Sequence, residues 1–226
     1  MRLARPLILS VVVALAMAIA APPAAQAATL EPLRPCYRSV DATNQEPVHV
    51  EAGDFTPGAA VNVSIDGVTV RDVIALPDGS VSGKVEAPYR RRGVRPFTLT
   101  VTERDRPANT ATVGSLVTAL SLRLKPSEAK PSRRVRFLGR GFLDGPEIYG
   151  HYLHGGRLRK TVLLGRAEGP CGRLDARRRQ IPVRRPAAGR WTLQVDNQPE
   201  YSPQPPGAFI PYTITVKRAP ALARDP

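Results

Sequence analysis

The sequence predicts an all-β protein made of two β-sandwiches in tandem. The 24 prolines and 18 glycines of the 226-residue chain favour short strands between frequent turns. No segment keeps a 3.6-residue apolar period over more than two turns, and the length suits two cores of about 90 to 100 residues each. One spacing of apolar residues and glycine occurs twice, as Val48-x-Val50-x-x-x-x-Phe55-x-x-Gly58 and as Val135-x-Phe137-x-x-x-x-Phe142-x-x-Gly145.

Residues 1–27 have the pattern of a secretory signal peptide. Arg2 and Arg5 precede an uncharged stretch over 7–21, and Ala25-Gln26-Ala27 offers small residues at a cleavage site. About 15 apolar residues are fewer than the roughly 20 that a membrane-spanning helix needs, so we expect cleavage rather than a retained anchor. The mature protein is predicted to be secreted, extracellular or associated with the cell wall, and to have no transmembrane segment.

The first predicted sandwich covers residues 28–118. Asp66-Gly67 and Asp78-Gly79 are typical hairpin turns, and Pro57-Gly58 marks a corner. Apolar and polar side chains alternate in the segments between them, as in strands with one wet face. The predicted strands lie at 37–40, 48–50, 61–65, 68–76, 80–87, 97–101 and 111–116. About seven short strands at this spacing are typical of a sandwich.

The second predicted sandwich covers residues 119–217, with strands at 120–124, 135–137, 191–195 and 211–216. The proline-rich stretch 199–211 is predicted to be a long loop, and 218–226 a disordered tail. Trp191 stands where Phe97 stands in the first unit. Core packing is the favoured interpretation of Trp191, and ligand stacking is the alternative.

The segments F-T-P-G-A-A-V-N-V-S-I-D-G, L-P-D-G-S-V-S-G-K-V and F-T-L-T-V resemble bacterial immunoglobulin-like domains of the IPT/TIG kind. The resemblance covers residues 46–116 well and 120–217 loosely. It implies immunoglobulin-like β-sandwiches, in exported proteins, that serve as spacers, adhesion modules or partner-binding units. The same stretch is distantly similar to the neocarzinostatin family of secreted carriers. The segments 150–154 and 169–172 have no counterpart in the first unit.

The two cysteines are Cys36 and Cys171. In an exported chain a pair of cysteines is more often bonded than free, so we predict a disulfide, with two reduced thiols as the alternative. Such a bond would connect the two predicted sandwiches.

Residue patterns that carry catalysis or metal binding are weak. His151 and His154 would point to opposite faces of a strand, and no cysteine or pair of carboxylates completes a ligand set. Gly79-Ser80-Val81-Ser82-Gly83 puts Val81 where a nucleophile elbow needs serine. We therefore expect no enzyme activity, no metal site and no cofactor.

Charge is the unusual signal. Residues 28–122 hold 10 basic and 11 acidic side chains, whereas residues 123–217 hold 19 basic and 7 acidic ones. Alternation puts Arg134 and Arg136 on a wet strand face, and Arg157 and Arg159 flank Leu158 in the same way. The predicted polyanion-binding residues are Arg134, Arg136, Arg157, Arg159, Lys160, Arg177, Arg178, Arg179, Arg184 and Arg185. The alternative is that the arginines reflect composition alone.

These observations predict a secreted, non-enzymatic binding or structural module. Its second domain is predicted to adhere to an anionic cell-wall polymer or polysaccharide, without specific nucleic-acid binding. The alternative is a carrier that holds a small apolar ligand in a sandwich cleft. An apolar cleft in the first unit would favour the carrier, and a continuous arginine face on the second would favour adhesion.

Overall fold

A computed structural model describes residues 27–217, so the predicted leader, up to residue 26, and the tail over 218–226 lie outside the described residues. Within 27–217 all regular structure is β, and the predicted all-β class is confirmed. This part of the chain has no helix with the length and apolar character needed to cross a membrane. The strands are β1 (Thr29–Leu30), β2 (Cys36–Ser39), β3 (Pro47–Gly53), β4 (Ala60–Ile65), β5 (Val68–Ile74), β6 (Val81–Glu86), β7 (Val94–Glu103), β8 (Thr110–Ala119), β9 (Ser121–Lys125), β10 (Arg134–Arg140), β11 (Glu147–His154), β12 (Arg157–Arg166), β13 (Leu174–Arg179), β14 (Gly189–Asp196) and β15 (Ile210–Val216).

The first sandwich packs a sheet of order β1-β3-β6 against one of order β2-β8-β7-β4-β5. The apolar halves of the alternating strands meet between the sheets, where Val48, Val61, Leu99 and Val101 are almost fully buried. Strand β2 lies parallel to β8 at the sheet edge, and the other pairs are antiparallel.

The second sandwich repeats this plan. Its sheets have the orders β13-β10-β9 and β12-β11-β14-β15, and they enclose a separate core that includes Phe137, Leu193 and Trp191. The first, second and fifth strands of this unit form one sheet, and its third, fourth, sixth and seventh strands form the other. This is the strand order of an immunoglobulin-like sandwich. Trp191 is a core residue, as its strand position predicts.

The repeated sequence spacing marks equivalent positions in the two cores. Phe55 and Phe142 are buried, and each backbone N–H donates to the carbonyl of a glycine, Gly79 or Gly172. Both glycines have positive φ, and a Cβ on either would lie within 2.5 Å of the phenylalanine carbonyl oxygen. Cys171-Gly172 therefore takes the place of Asp78-Gly79. The expectation that segment 169–172 lacks a counterpart was wrong, because backbone geometry, not side-chain type, is what the two turns share.

Three kinds of contact join the sandwiches, and we call this region the junction. The chain passes directly from β8 to β9 through Leu120, whose N–H donates to the carbonyl of Ser39. Cys36 and Cys171 form a disulfide, as predicted. Arg38 is buried and binds both carboxylate oxygens of Asp144, with distances of 2.8 and 3.1 Å. Covalent, ionic and chain connections thus fix the two units together.

Candidate functional site

A strongly charged surface is the outer side of the sheet β13-β10-β9, which we call the basic face. Along β10 the core residues Val135 and Phe137 alternate with exposed arginines, and β9 alternates in the same way around Leu124. The sequence puts a cation at most outward positions of these strands. The basic face carries Arg123, Lys125, Arg134, Arg136, Arg140, Arg177 and Arg179.

Strand register places several of these cations directly opposite one another. Arg134 pairs with Arg179, and Arg136 pairs with both Arg177 and Lys125. Like charges opposite each other on one sheet face destabilise the sheet, by roughly 0.2–1 kcal/mol per pair. The basic face therefore lowers the stability of the free protein, and an anion placed on it would relieve that repulsion.

Asp175 is the acid among these cations. Its carboxylate accepts two hydrogen bonds from Arg136, at 2.6 and 2.5 Å, and one from Arg173 at 2.8 Å. The hydrogen bond from Arg136 is the main cause that lowers the pKa of Asp175 to about 2. Asp175 is therefore ionised at any ordinary pH and holds two of the guanidinium groups in fixed positions.

A groove of about 720 Å³ lies where the basic face meets the first sandwich, and we call it the junction groove. Arg92 comes from the loop between β6 and β7 of the first sandwich, and the other charged residues come from the second. The polar lining that concerns binding is Arg92, Arg123, Arg136, Arg140, Arg173 and Asp175. Among residues 27–217 no carboxylate forms an ion pair with Arg92, Arg123 or Arg140.

The structure brings together four of the ten predicted polyanion-binding residues. Arg134, Arg136, Arg177 and Arg179 share the basic face because β10 and β13 are neighbours. Sequence reasoning missed Arg123, Lys125, Arg140, Arg173 and Arg92. Alternation along β9 was the signal available for Arg123 and Lys125, whereas the position of Arg92 depends on the junction.

The remaining predicted residues lie elsewhere in the second sandwich. Arg157, Arg159 and Lys160 are exposed on β12, in the other sheet. Arg178 points away from the basic face, since its Nε donates to the carbonyl of Leu163 on β12, at 3.4 Å. Arg184 and Arg185 are exposed in the loop between β13 and β14. Their proposed polyanion contacts stay predictions.

The pattern around Leu158 differs from the expectation. Arg157 and Arg159 are exposed, but Leu158 is 43% exposed as well instead of lying in the core. Strand β12 is a sheet edge, and its register with β11 shifts next to this residue. The irregular register breaks the simple alternation from which a buried Leu158 follows.

A hydrogen-bonded group resembling a catalytic triad lies on the outer side of the sheet β12-β11-β14-β15. His151 is 2.9 Å from the Thr161 hydroxyl through Nδ1 and 3.2 Å from Asp196 Oδ1 through Nε2. Burial alone would raise the pKa of Asp196, but hydrogen bonds from His151, Gln194 and the backbone of Gln198 lower it. The side chains of His151 and Asp196 are 0% and 1% exposed.

The contacts around this group tie the loop between β14 and β15 to the sheet. Tyr201, from the loop between β14 and β15, lies against His151 with ring centroids 5.7 Å apart. Gln194 donates to both Asp196 and the carbonyl of Ser202, each at 2.8 Å, and so ties that loop to the sheet. Since His151 has no exposed surface, a substrate carbonyl has no approach to it. The group anchors the proline-rich loop.

The other histidines have separate surroundings. His154 packs on Trp191, with ring centroids 4.9 Å apart, on the opposite strand face from His151. His49 is exposed on β3. Within residues 27–217, no group of three or more His, Cys, Asp or Glu side chains is placed to hold a metal ion.

Comparisons with known proteins identify no family. No protein-family profile matches the chain, and no curated protein matches its sequence. The chain is similar to the crystal structure of murine CEACAM1b, with 13% sequence identity, and the match covers 84% of this chain and 98% of that chain. The TM-score is 0.24.

Proposed function

We propose that this protein is a secreted, non-enzymatic binding module that attaches to an anionic polymer at the cell exterior. The observation that carries the proposal is the set of cations that strand register places opposite one another on the basic face, Arg134 with Arg179 and Arg136 with Arg177 and Lys125. The anionic partner is a cell-wall polymer or an acidic polysaccharide. No sequence-specific contact to nucleic acid is proposed, because the cations form a repeating charged surface without a reading element.

The physical basis is electrostatic. A surface with many like charges raises the local concentration of a polyanion and speeds its association. Each neutralised charge on the polymer also releases a bound counterion, so the attraction depends on salt and not on polymer sequence. Guanidinium groups such as those of Arg134 and Arg177 add paired hydrogen bonds to phosphate or carboxylate oxygens. Strand β10 holds these groups on a rigid sheet, which reduces the entropy lost on binding.

The proposal of an external location rests on the leader-like pattern of residues 1–27 and on the disulfide. Disulfides persist in oxidising compartments and are rare in the cytosol, and Cys36–Cys171 joins two units of one chain. The immunoglobulin-like sandwiches and the quoted segments near Phe55 support an IPT/TIG-type module of the bacterial cell surface. We propose that the two sandwiches, fixed by the junction, present the basic face outwards.

The carrier alternative receives less support from the geometry. A neocarzinostatin-like role calls for an apolar cleft in the first sandwich. Three clefts within residues 27–217 are the junction groove, a site of about 210 Å³ between Val40 of the first sandwich and Phe209 of the second, and a site of about 630 Å³ along β15, and charged side chains line each of them. The basic face is the feature that favours adhesion over the role of a small-ligand carrier.

The experiment is retention of residues 28–226 on heparin and on lipoteichoic-acid resin as a function of salt. We expect binding at 50 mM salt and a loss of roughly 10³-fold in the association constant by 200 mM, which corresponds to about six neutralised charges. A neutral dextran resin is the control. Flow-through from both charged resins at 50 mM salt would contradict the proposal.

A further inference from the structure

We infer that the junction groove is a composite site for a phosphate group, built from both sandwiches. The inference rests on the proposed function and deepens it, because the groove is the end of the basic face. It assigns to the polymer a phosphate group that carries more than one negative charge, such as a phosphate monoester or a diphosphate.

The balance of paired and unpaired arginines in the groove favours a ligand with more than one negative charge. Asp175 neutralises part of the charge of Arg136 and Arg173. Arg92, Arg123 and Arg140 line the same space without a carboxylate partner among residues 27–217. Three such guanidinium groups around one cavity are matched poorly by a single carboxylate. A phosphate monoester carries about −1.5 to −2 at pH 7 and offers three acceptor oxygens.

The first sandwich supplies Arg92 and Gly93 to the groove lining, so the complete groove requires that the sandwiches be docked. Arg92 precedes Gly93, whose carbonyl accepts a hydrogen bond from the N–H of Ala119, at 3.0 Å. Arg92 is thereby held beside the start of β9, opposite Arg123 and Arg140. The disulfide Cys36–Cys171 fixes the relative position of these two sides. Phosphate binding and the disulfide are therefore linked.

Isothermal titration of residues 28–226 with inorganic pyrophosphate at 50 mM salt tests the site. We expect one bound pyrophosphate per chain, and about tenfold weaker binding in Arg92→Ser, which is the loss of one charge-assisted hydrogen bond. The matched control is Arg91→Ser, since Arg91 is an exposed neighbour outside the groove lining. We expect this control to bind within twofold of the parent protein. Equal losses in both variants would overturn the site.

The double variant Cys36→Ala/Cys171→Ala tests the composite nature of the groove. We expect binding to weaken several-fold, and Arg92→Ser to cost less than twofold more in this background, because the first sandwich, which carries Arg92, is then less firmly positioned against Arg123 and Arg140 of the second. A further tenfold loss there would overturn the link to the disulfide. Circular dichroism of each variant checks the fold, and the single-arginine variants decide the site even if the double variant fails to fold.

Binding to two polymers distinguishes a phosphate ligand from a carboxylate ligand. It also shows whether the phosphate belongs to a polymer or to a small compound. Phosphate-monoester dextran is compared with carboxymethyl dextran of equal charge density and with pyrophosphate. Tighter binding of phosphodextran than of pyrophosphate assigns the phosphate to a polymer, and equal binding per phosphate assigns it to a small compound. Equal binding of both dextrans would overturn the phosphate assignment. If pyrophosphate fails to bind while the protein is still retained on heparin, this inference fails and the proposed function stands.

Discussion

The number of residues between the two cysteines determines how much stability is lost when the disulfide is removed. Cys36 and Cys171 are separated by 135 residues and both are almost fully buried. In the chain-entropy relation, closing a loop of that length lowers the conformational entropy of the unfolded chain by about 17 cal/mol/K. At 25 °C this corresponds to about 5 kcal/mol of stabilisation. Cys36→Ala/Cys171→Ala should therefore lower the total free energy of unfolding by up to about 5 kcal/mol.

The effect reaches both cores, because the bond links a strand of the first sandwich to a turn of the second. Guanidinium denaturation followed by circular dichroism gives the total unfolding free energy, summed over the transitions observed. At about 2–4 °C per kcal/mol for a protein of this size, we expect Tm to fall by about 10–20 °C. Wild-type protein in reductant is the control, since it breaks the bond without changing packing volume.

Two outcomes would show that the disulfide does not stabilise the protein in this way. A loss below about 1 kcal/mol in both the double variant and the reduced protein would mean that the bond does not limit the unfolded chain. A loss in the double variant that reduction does not reproduce would instead assign the effect to the two missing sulfur atoms.

A turn, a carboxylate and the first sandwich each allow a further test. Gly172→Ala should lower the free energy of unfolding by roughly 3 kcal/mol, because the new Cβ would lie 2.1 Å from a backbone carbonyl oxygen. Gly169→Ala, also at positive φ but in open space, should lower it by only about 1 kcal/mol. Urea denaturation compares the two variants, and equal losses would contradict the clash. Because the folded pKa of Asp175 is about 2, below its unfolded value of 3.8, its contribution is full above pH 4 and is lost as the pH falls towards 2. Asp175→Asn should flatten the fall of Tm over that pH range, and an unchanged pH profile would count against this assignment. Residues 28–118 alone should melt cooperatively with a β-type circular dichroism spectrum, since their core is separate from that of the second unit, and a non-cooperative melt would contradict this.

Local pattern predicted much of the fold. The two-residue alternation in Val61–Ile65 and the repeated spacing that contains Phe55 and Phe142 indicate which side chains are buried, because alternate side chains of a regular strand face the core. The match between Gly79 and Gly172 was not visible, since it lies in a backbone conformation that the neighbouring side chains do not reveal.

The candidate site was only partly predictable, because it depends on which strands become neighbours. Arg134 and Arg177 are far apart in sequence, and only the pairing of β10 with β13 places them on one face. Lys125 joins them through β9. Arg92 belongs to the other sandwich, so its contribution follows from docking at the junction. Long-range pairing of this kind has no local signature in the chain.

We expect that the geometry of the basic face, not net charge, retains the protein on polyanions. The measurement compares the salt dependence of heparin binding for two variants of residues 28–226 that each lose three positive charges. One is Arg134→Ser/Arg177→Ser/Arg179→Ser on the basic face, and the other is Arg157→Ser/Arg159→Ser/Lys160→Ser on β12, in the other sheet. We expect the first variant to lose about 2.7 from the slope of log K against log salt, at about 0.9 per contact, and the second to lose clearly less, because its three cations lie outside the basic face. Equal changes in the two variants would contradict this expectation.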